Sequence, residues 1–283
     1  MRETEQLPQA EQRHISKFAV ARRRLMHTFL SPVLATEIQH QERLVEMSQF
    51  VGRGKGGVLI VEHKSQREGM EAGRFSLEDR EMITREMLIP IAYHMKALHI
   101  NTYAAFGSTK LSYLYTEETV EKFKEKKEKT VTNEQIRDAQ TSYINQIAEV
   151  VLGGGVAIVF YQGSRKKTLY DPRSTSEIRR DIENKDSEMN QPIQSENNIS
   201  QGILRLIDLG VERLAQRKHV EKPNFGVAAV SVDMPKVAGM SVSDEQFLEE
   251  RKWFHIGDKT TYNLGHTHSI QELDKRSMTR EDV

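Results

Sequence analysis

Gly153-Gly154-Gly155-Val156-Ala157-Ile158-Val159-Phe160 is the stretch that decides the fold. Three glycines end whatever element precedes them. The five apolar residues that follow, mostly β-branched and without alternation, read as a strand buried on both faces. Upstream, Ile136, Tyr143, Ile147 and Val151 recur at helical spacing, which predicts a helix from about Asn133 to Leu152. Downstream, Ile203, Leu204, Ile207, Val211 and Leu214 mark a second helix, and Val227-Ala228-Ala229-Val230-Ser231-Val232 a further strand. Buried strands separated by amphipathic helices imply parallel β-α-β units with both sheet faces covered. The expected fold class is α/β: a mostly parallel sheet flanked by helices, with an N-terminal helical segment.

The rest of the chain is arranged around this pattern. Val58-Leu59-Ile60-Val61 reads as another buried strand, entered through the loop Val51-Gly52-Arg53-Gly54-Lys55-Gly56-Gly57. That loop is no phosphate loop, because no Ser or Thr follows Lys55 and it precedes a strand instead of linking strand to helix. Ser76-Leu77-Glu78-Asp79 predicts a capped helix running to about Leu98, with Leu77, Ile83, Met87, Leu88, Ile91 and Met95 inward and a kink at Pro90. A strand from Ile100 to Phe106 then leads into Gly107-Ser108-Thr109-Lys110, and the charge run Glu121 to Lys129 reads as a solvated helical face or a connection. Lys166 to Ser200 is polar and reads as a long insertion. The expected organisation is a helical segment over 1–50, an α/β domain over 51–240 interrupted at about 166–200, and a polar tail over 241–283.

In the N-terminal segment Ile15, Phe18, Ala19, Leu25, Met26, Phe29, Leu30, Val33 and Leu34 fall at helical spacing, broken at Ser31-Pro32. Arg22-Arg23-Arg24 lies on or beside the polar face. Such a helix either packs on its own domain with the arginines in solvent, the favoured reading, or rests peripherally on an anionic membrane.

The 283 residues carry 41 Lys+Arg and 41 Asp+Glu, so the formal net charge is zero. Bulk charge gives no reason to expect a nucleic-acid partner. There is no Cys, which excludes disulfides, thiolate metal sites and a Cys nucleophile. Val150 to Ser164, the longest uncharged run, is too short and Gly-rich to cross a bilayer, and the N-terminus shows no apolar signal region. The expected location is the cytoplasm, with peripheral contact at the inner face of the membrane as the alternative.

In parallel sheets ligands bind outside the carboxyl ends of the strands, so the residues after Val61, Phe106 and Phe160 are the places to search. After Val61 stands Glu62-His63-Lys64-Ser65-Gln66-Arg67-Glu68. With His63 at a strand end and Glu68 in the following turn, a carboxylate can fix the imidazole while its other nitrogen takes a proton from a hydroxyl; a surface ion pair is the competing and commoner explanation. After Phe160 stands Tyr161-Gln162-Gly163-Ser164-Arg165-Lys166. Gly163 admits backbone N–H groups, Ser164 adds a donor, and Arg165 with Lys166 supplies charge, a set that suits a phosphate; a basic turn leading into an insertion explains it equally. His266-Thr267-His268, with His255 upstream, lacks a completing carboxylate pattern, so no metal site is expected.

Taken together, these blocks resemble the glycerolipid acyltransferase family, the glycerol-3-phosphate and 1-acyl-glycerol-3-phosphate acyltransferases. The family's Asn-His-x-Ser-x-x-Asp motif falls on Glu62 to Glu68, keeping His63, Ser65 and an acid. Its Phe-Pro-Glu-Gly-Thr-Arg block falls on Phe160 to Arg165, about 100 residues later, and its last motif near Val227 to Val232. Glu68 stands for the family's Asp, and Tyr161-Gln162 for Pro-Glu. The second motif's Arg has no clear counterpart; Lys110 is the only nearby cation in about the right place. The resemblance implies direct transfer of an acyl group from an acyl thioester to a hydroxyl of a phosphorylated glycerol-type acceptor. His63 is then the general base, Glu68 its orienting carboxylate, and Ser65, Lys110, Gly163, Ser164, Arg165 and Lys166 bind substrate. It implies no metal and no cofactor, with acyl coenzyme A or acyl carrier protein as co-substrate. The departures leave a second expectation, a catalytically silent relative that binds a phospholipid or an acyl carrier. In a third, the matches are accidental and the chain is an interaction protein.

Overall fold

The computed structural model describes residues 7–30, 36–61, 79–93, 109–115, 119–120, 123–124, 130–160, 190–233 and 260–275. Along the chain run α1 (Lys17–Leu30), β1 (Thr36–Gln39), a 3₁₀ turn (Gln41–Arg43), α2 (Leu44–Gly52), β2 (Gly57–Val61), a second 3₁₀ turn (Met82–Thr84), β3 (Met87–Ala92), β4 (Thr109–Leu114), α3 (Asn133–Leu152), β5 (Val156–Phe160), α4 (Asn190–Lys218), β6 (Gly226–Asp233), β7 (Thr260–Leu264), β8 (His268–Ser269) and α5 (Ile270–Lys275). The strands form one eight-stranded sheet in the order β1-β7-β6-β2-β5-β3-β4, with β8 beside β6. From β6 to β4 every neighbour pair is parallel. β7 runs antiparallel to β6, and β1 lies parallel to β7. The α/β class read from the sequence is the class observed.

The deciding stretch behaves as its residues dictate. Thr132 and Gln135 form a reciprocal cap on α3: the Gln135 N–H donates to Thr132 Oγ1 (3.2 Å) and the Thr132 N–H to Gln135 Oε1 (3.0 Å). The helix ends at Leu152, and the chain turns within three residues into β5. Gly155 must be glycine there, since a Cβ would stand 2.6 Å from the Glu86 carbonyl oxygen.

Alternating residues of the strands feed two cores. Val58, Ile60, Ala157, Val159 and Val227 pack with Tyr143, Ile147 and Val151 of α3 and Ile207 and Val211 of α4. Leu59, Val61, Ile158 and Ala228 pack on the opposite face with Leu44, Met47 and Val51 of α2. Helices therefore cover both faces, as strands buried on both sides require.

Four readings need correction. Met87 to Ala92, expected as the middle of a Pro-kinked helix, is strand β3. Its apolar run is too short for periodicity to separate strand from buried helix. Asp79, expected within a capping sequence, receives the N–H groups of Glu81 (2.8 Å) and Met82 (2.9 Å) where the chain enters the 3₁₀ turn Met82–Thr84. The rest of that expected helix, including Leu77 and Met95, lies outside the described residues. So do the expected strand Ile100 to Phe106 and most of the charge run. The polar insertion ends earlier than expected, because α4 begins at Asn190. The terminal segments are not merely helical and polar: 1–50 contributes β1 to the sheet, and 241–283, expected as a polar tail, contributes β7 and β8 and buries Tyr262 and Leu264.

The fourth correction concerns α1. Phe18 (71%) and Leu25 (51%) are exposed, whereas Ala19 and Arg23 face inward, Arg23 only 1% exposed. Arg23 Nη1 donates to the carbonyl oxygens of Ile83 (2.9 Å) and Arg85 (2.8 Å), pinning α1 to the turn before β3. The arginine run is thus not a uniformly solvated cluster. Burial pulls the Arg23 guanidinium down to about 10, opposed by the charge of Glu86, and it stays protonated at neutral pH.

Candidate functional site

β2 and β5 are neighbours in register over their whole length, from Gly57↔Val156 to Val61↔Phe160. β6 flanks β2 on its other side, with Val61 opposite Val230. Val61 and Phe160 thus end two adjacent parallel strands at the same carboxyl edge, one strand spacing of about 4.8 Å apart. The chain continues from Val61 into Glu62-His63 and from Phe160 into Tyr161-Gln162-Gly163-Ser164-Arg165. His63, Ser65, Glu68, Gly163, Ser164, Arg165 and Lys166 themselves lie outside the described residues.

Lys110 is described, and it is not where the sequence reading put it. Thr109 and Lys110 open β4 instead of following a strand, in register with Met87 and Leu88 at the amino ends. Lys110 Nζ pairs with Glu86 Oε1 at 2.8 Å. It belongs to the edge opposite the one from which the His63 and Arg165 blocks depart. The sequence assignment failed because the strand in this region occupies Thr109–Leu114.

The carboxyl edge has a further feature. β3 pairs with β5 only at Met87↔Val156 and Leu88↔Ala157, yet with β4 through Ala92↔Leu114. Past Leu88 the sheet forks, β5 staying with β2 and β3 with β4. One more pair would set Ile89 opposite Ile158, and a parallel ladder would then direct the Pro90 N–H to the Ile158 carbonyl. Pro90 has no N–H. The phenol of Tyr143, reaching from α3, donates to that carbonyl at 2.9 Å instead. Burial pushes this phenol far above its ordinary pKa, so it remains a donor at any physiological pH.

Two other polar constellations are present. At the amino edge Arg85, 2% exposed, has Nε and Nη1 buried without a hydrogen-bond partner, and Nη2 stands 4.0 Å from Glu81 Oε2. On the α2 face, His266 Nδ1 lies 3.0 Å from Glu46 Oε1 and the Thr267 N–H donates to Glu46 Oε2 at 2.8 Å. Burial works against the Glu46 carboxylate, but these two contacts hold it below the ordinary range. His266 lies in a bulge: between Val230↔Leu264 and Val227↔His268, residues 228 and 229 face the three residues 265–267. No group of three or more His, Asp or Glu gathers into a metal-ligating set among the described residues.

Sequence reasoning missed Tyr93, Tyr113 and Tyr115 at the carboxyl ends of β3 and β4. The signal available was Tyr113-x-Tyr115 at the end of an apolar segment. Comparison with protein-family models and with curated proteins yields no match.

Proposed function

We propose that this chain is a glycerolipid-type acyltransferase that moves a fatty acyl group from an acyl thioester to a hydroxyl of a phosphorylated glycerol-type acceptor. The observation that carries the reading is the register Val61↔Phe160. The His63 block and the Arg165 block follow adjacent parallel strands that end together, at the edge where such sheets bind ligands. Two blocks 100 residues apart in the chain thereby start about one strand spacing apart.

In this reading the His63 imidazole takes the proton of the acceptor hydroxyl as its oxygen attacks the thioester carbonyl. The tetrahedral adduct collapses, the C–S bond breaks, and the same imidazolium protonates the departing thiolate. Glu68 orients His63 and stabilises its charged form. Arg165, Ser164 and Gly163 hold the acceptor phosphate, Arg165 through two parallel charge-assisted bonds, with Ser65 and Lys166 beside them. The donor is acyl coenzyme A or acyl carrier protein, and the chain supplies no nucleophile of its own. His63→Ala is expected to lower thiol release from an acyl thioester about 10²–10⁴-fold while leaving the melting temperature unchanged. Full activity in the variant removes His63 from the mechanism.

One observation favours a second reading, the silent relative that binds a phospholipid or acyl carrier. Lys110, the only candidate for the family's second-motif cation, is paired with Glu86 at the amino edge, and Tyr161-Gln162 replaces an acid. A wild type that binds phospholipid but releases no thiol selects it.

α1 supports the peripheral membrane contact. Its exposed Phe18 and Leu25 share a face with Arg22, whose guanidinium lies 5.1 Å from the Phe18 ring centre, and Lys17 and Arg24 are exposed nearby. Apolar groups flanked by cations suit an anionic interface. No described helix is long and apolar enough to cross a membrane. Phe18→Glu with Leu25→Glu is expected to abolish co-sedimentation with phosphatidylglycerol vesicles; retained binding withdraws α1 as the contact.

A further inference from the structure

Beyond the fork, the β3–β4 pair ends in an aromatic cluster. Ala92↔Leu114 is its last pair, and Tyr93 and Tyr115 are the next residues of each strand. Their rings stack at 4.7 Å and 15°, matching the strand spacing. Tyr113 and Phe123 meet the Tyr93 ring edge-on, at 6.1 Å and 71° and at 6.0 Å and 67°. All four are half-buried, and none belongs to either apolar core. They are therefore not what holds the layers together. Burial and the neighbouring Tyr93 push the Tyr115 hydroxyl above the ordinary range of a phenol. On the near side of the fork stands Phe160, half-buried at the end of β5.

We infer that this aromatic row, from Phe160 across the fork to Tyr93 and Tyr115, seats the hydrocarbon chain of the acyl donor. The inference rests on the acyltransferase reading and adds where the chain lies. β5, β3 and β4 are consecutive in the sheet, but β5 and β3 pair only as far as Leu88, so Phe160, which also packs against the α2-face core, stands more than one strand spacing from Tyr93. The row starts at the strand end from which the Arg165 block departs and leads away from β2. A saturated chain offers neither charge nor hydrogen bonds, so only apolar area can recognise it. The four residues of the cluster and Phe160 supply such area and no formal charge. The fork lies between the row's two parts: past Leu88 no ladder joins β5 to β3 among the described residues.

Each CH₂ buried in such a seat is worth about a fourfold gain in affinity. Wild type should therefore prefer palmitoyl over butyryl coenzyme A in kcat/KM for thiol release. Tyr93→Ala should lose about tenfold or more on palmitoyl and less than about twofold on butyryl coenzyme A, while Tyr93→Phe, which keeps the ring, tracks wild type. Equal losses on both thioesters, or none on palmitoyl, overturn the assignment. Should Tyr93→Ala not fold, Phe123→Ala at the rim carries the same chain-length expectation. Direct binding of the fluorescent fatty acid parinaric acid separates this inference from the one beneath it. If wild type transfers no acyl group yet binds parinaric acid, and Tyr93→Ala loses that binding, the seat stands and the acyltransferase reading falls. If wild type does not bind it, or Tyr93→Ala binds it equally, the seat is withdrawn.

Discussion

At the amino ends of the strands, Arg23 donates to two backbone carbonyls and Lys110 is neutralised by Glu86. At the carboxyl ends the chain runs from Phe160 towards Arg165, which in the function proposed holds the acceptor phosphate. On that reading, a cation's role in this sheet follows from which end of the strand it occupies. At the amino edge, cations tie α1 and β4 to the turn before β3; at the carboxyl edge, in the function proposed, they hold substrate.

The sharpest way to break this contrast is to remove the amino-edge tie. Arg23→Ala leaves the Ile83 and Arg85 carbonyls without their donor and opens a cavity beside β3. The expected cost is about 3 kcal/mol of stability, read as a lower urea midpoint, with the catalytic constants of the folded fraction unchanged. A loss below about 0.5 kcal/mol would show that α1 is held by other contacts.

The direct comparison of the two edges comes next. Arg165→Ala should weaken a phosphorylated acceptor by ten- to over a hundredfold, about 1.5–3 kcal/mol, and spare its unphosphorylated counterpart. Lys110→Ala should leave both acceptors unchanged. Discrimination lost in Lys110→Ala as well would bring that lysine back to the substrate and break the contrast. The smallest effect belongs between the edges. Tyr143→Phe strands the buried Ile158 carbonyl and should cost about 1–2 kcal/mol. A neutral result in thermal melts would mean that the carbonyl finds another donor and the fork closes without the phenol.

How much of this was readable in advance varied along the chain for physical reasons. α3 and β5 were legible because Thr132, Gln135 and the glycine triplet state their boundaries locally. β1 and β7 were not, because each is a strand by virtue of its partners: β1 pairs with β7, β7 also with β6, and neither segment carries a strong pattern of its own. Misreading Met87–Ala92 as helix had a second consequence. It placed Tyr93 inside a helix, so the aromatic cluster became visible only once β3 was a strand ending at Ala92. The carboxyl-edge rule pointed to the His63 and Arg165 blocks, whose residues lie outside the described ones. It failed for Lys110, where the strand's position was misjudged and the edge with it.

The pairing of β1 with β7 also bears on how the protein is made. During synthesis β2 and β5 are available long before residue 260 and β6 shortly before it, so the parallel centre can assemble first. β6 then presents an uncovered row of N–H and C=O groups until β7 and β8 arrive, and β1 waits more than 200 residues for its partner. An open edge of that kind is where a nascent sheet recruits a strand from another molecule. A chain stopped after Asp233 would keep that edge indefinitely, and its fate should be aggregation, whatever chemistry the rest of the sheet retains.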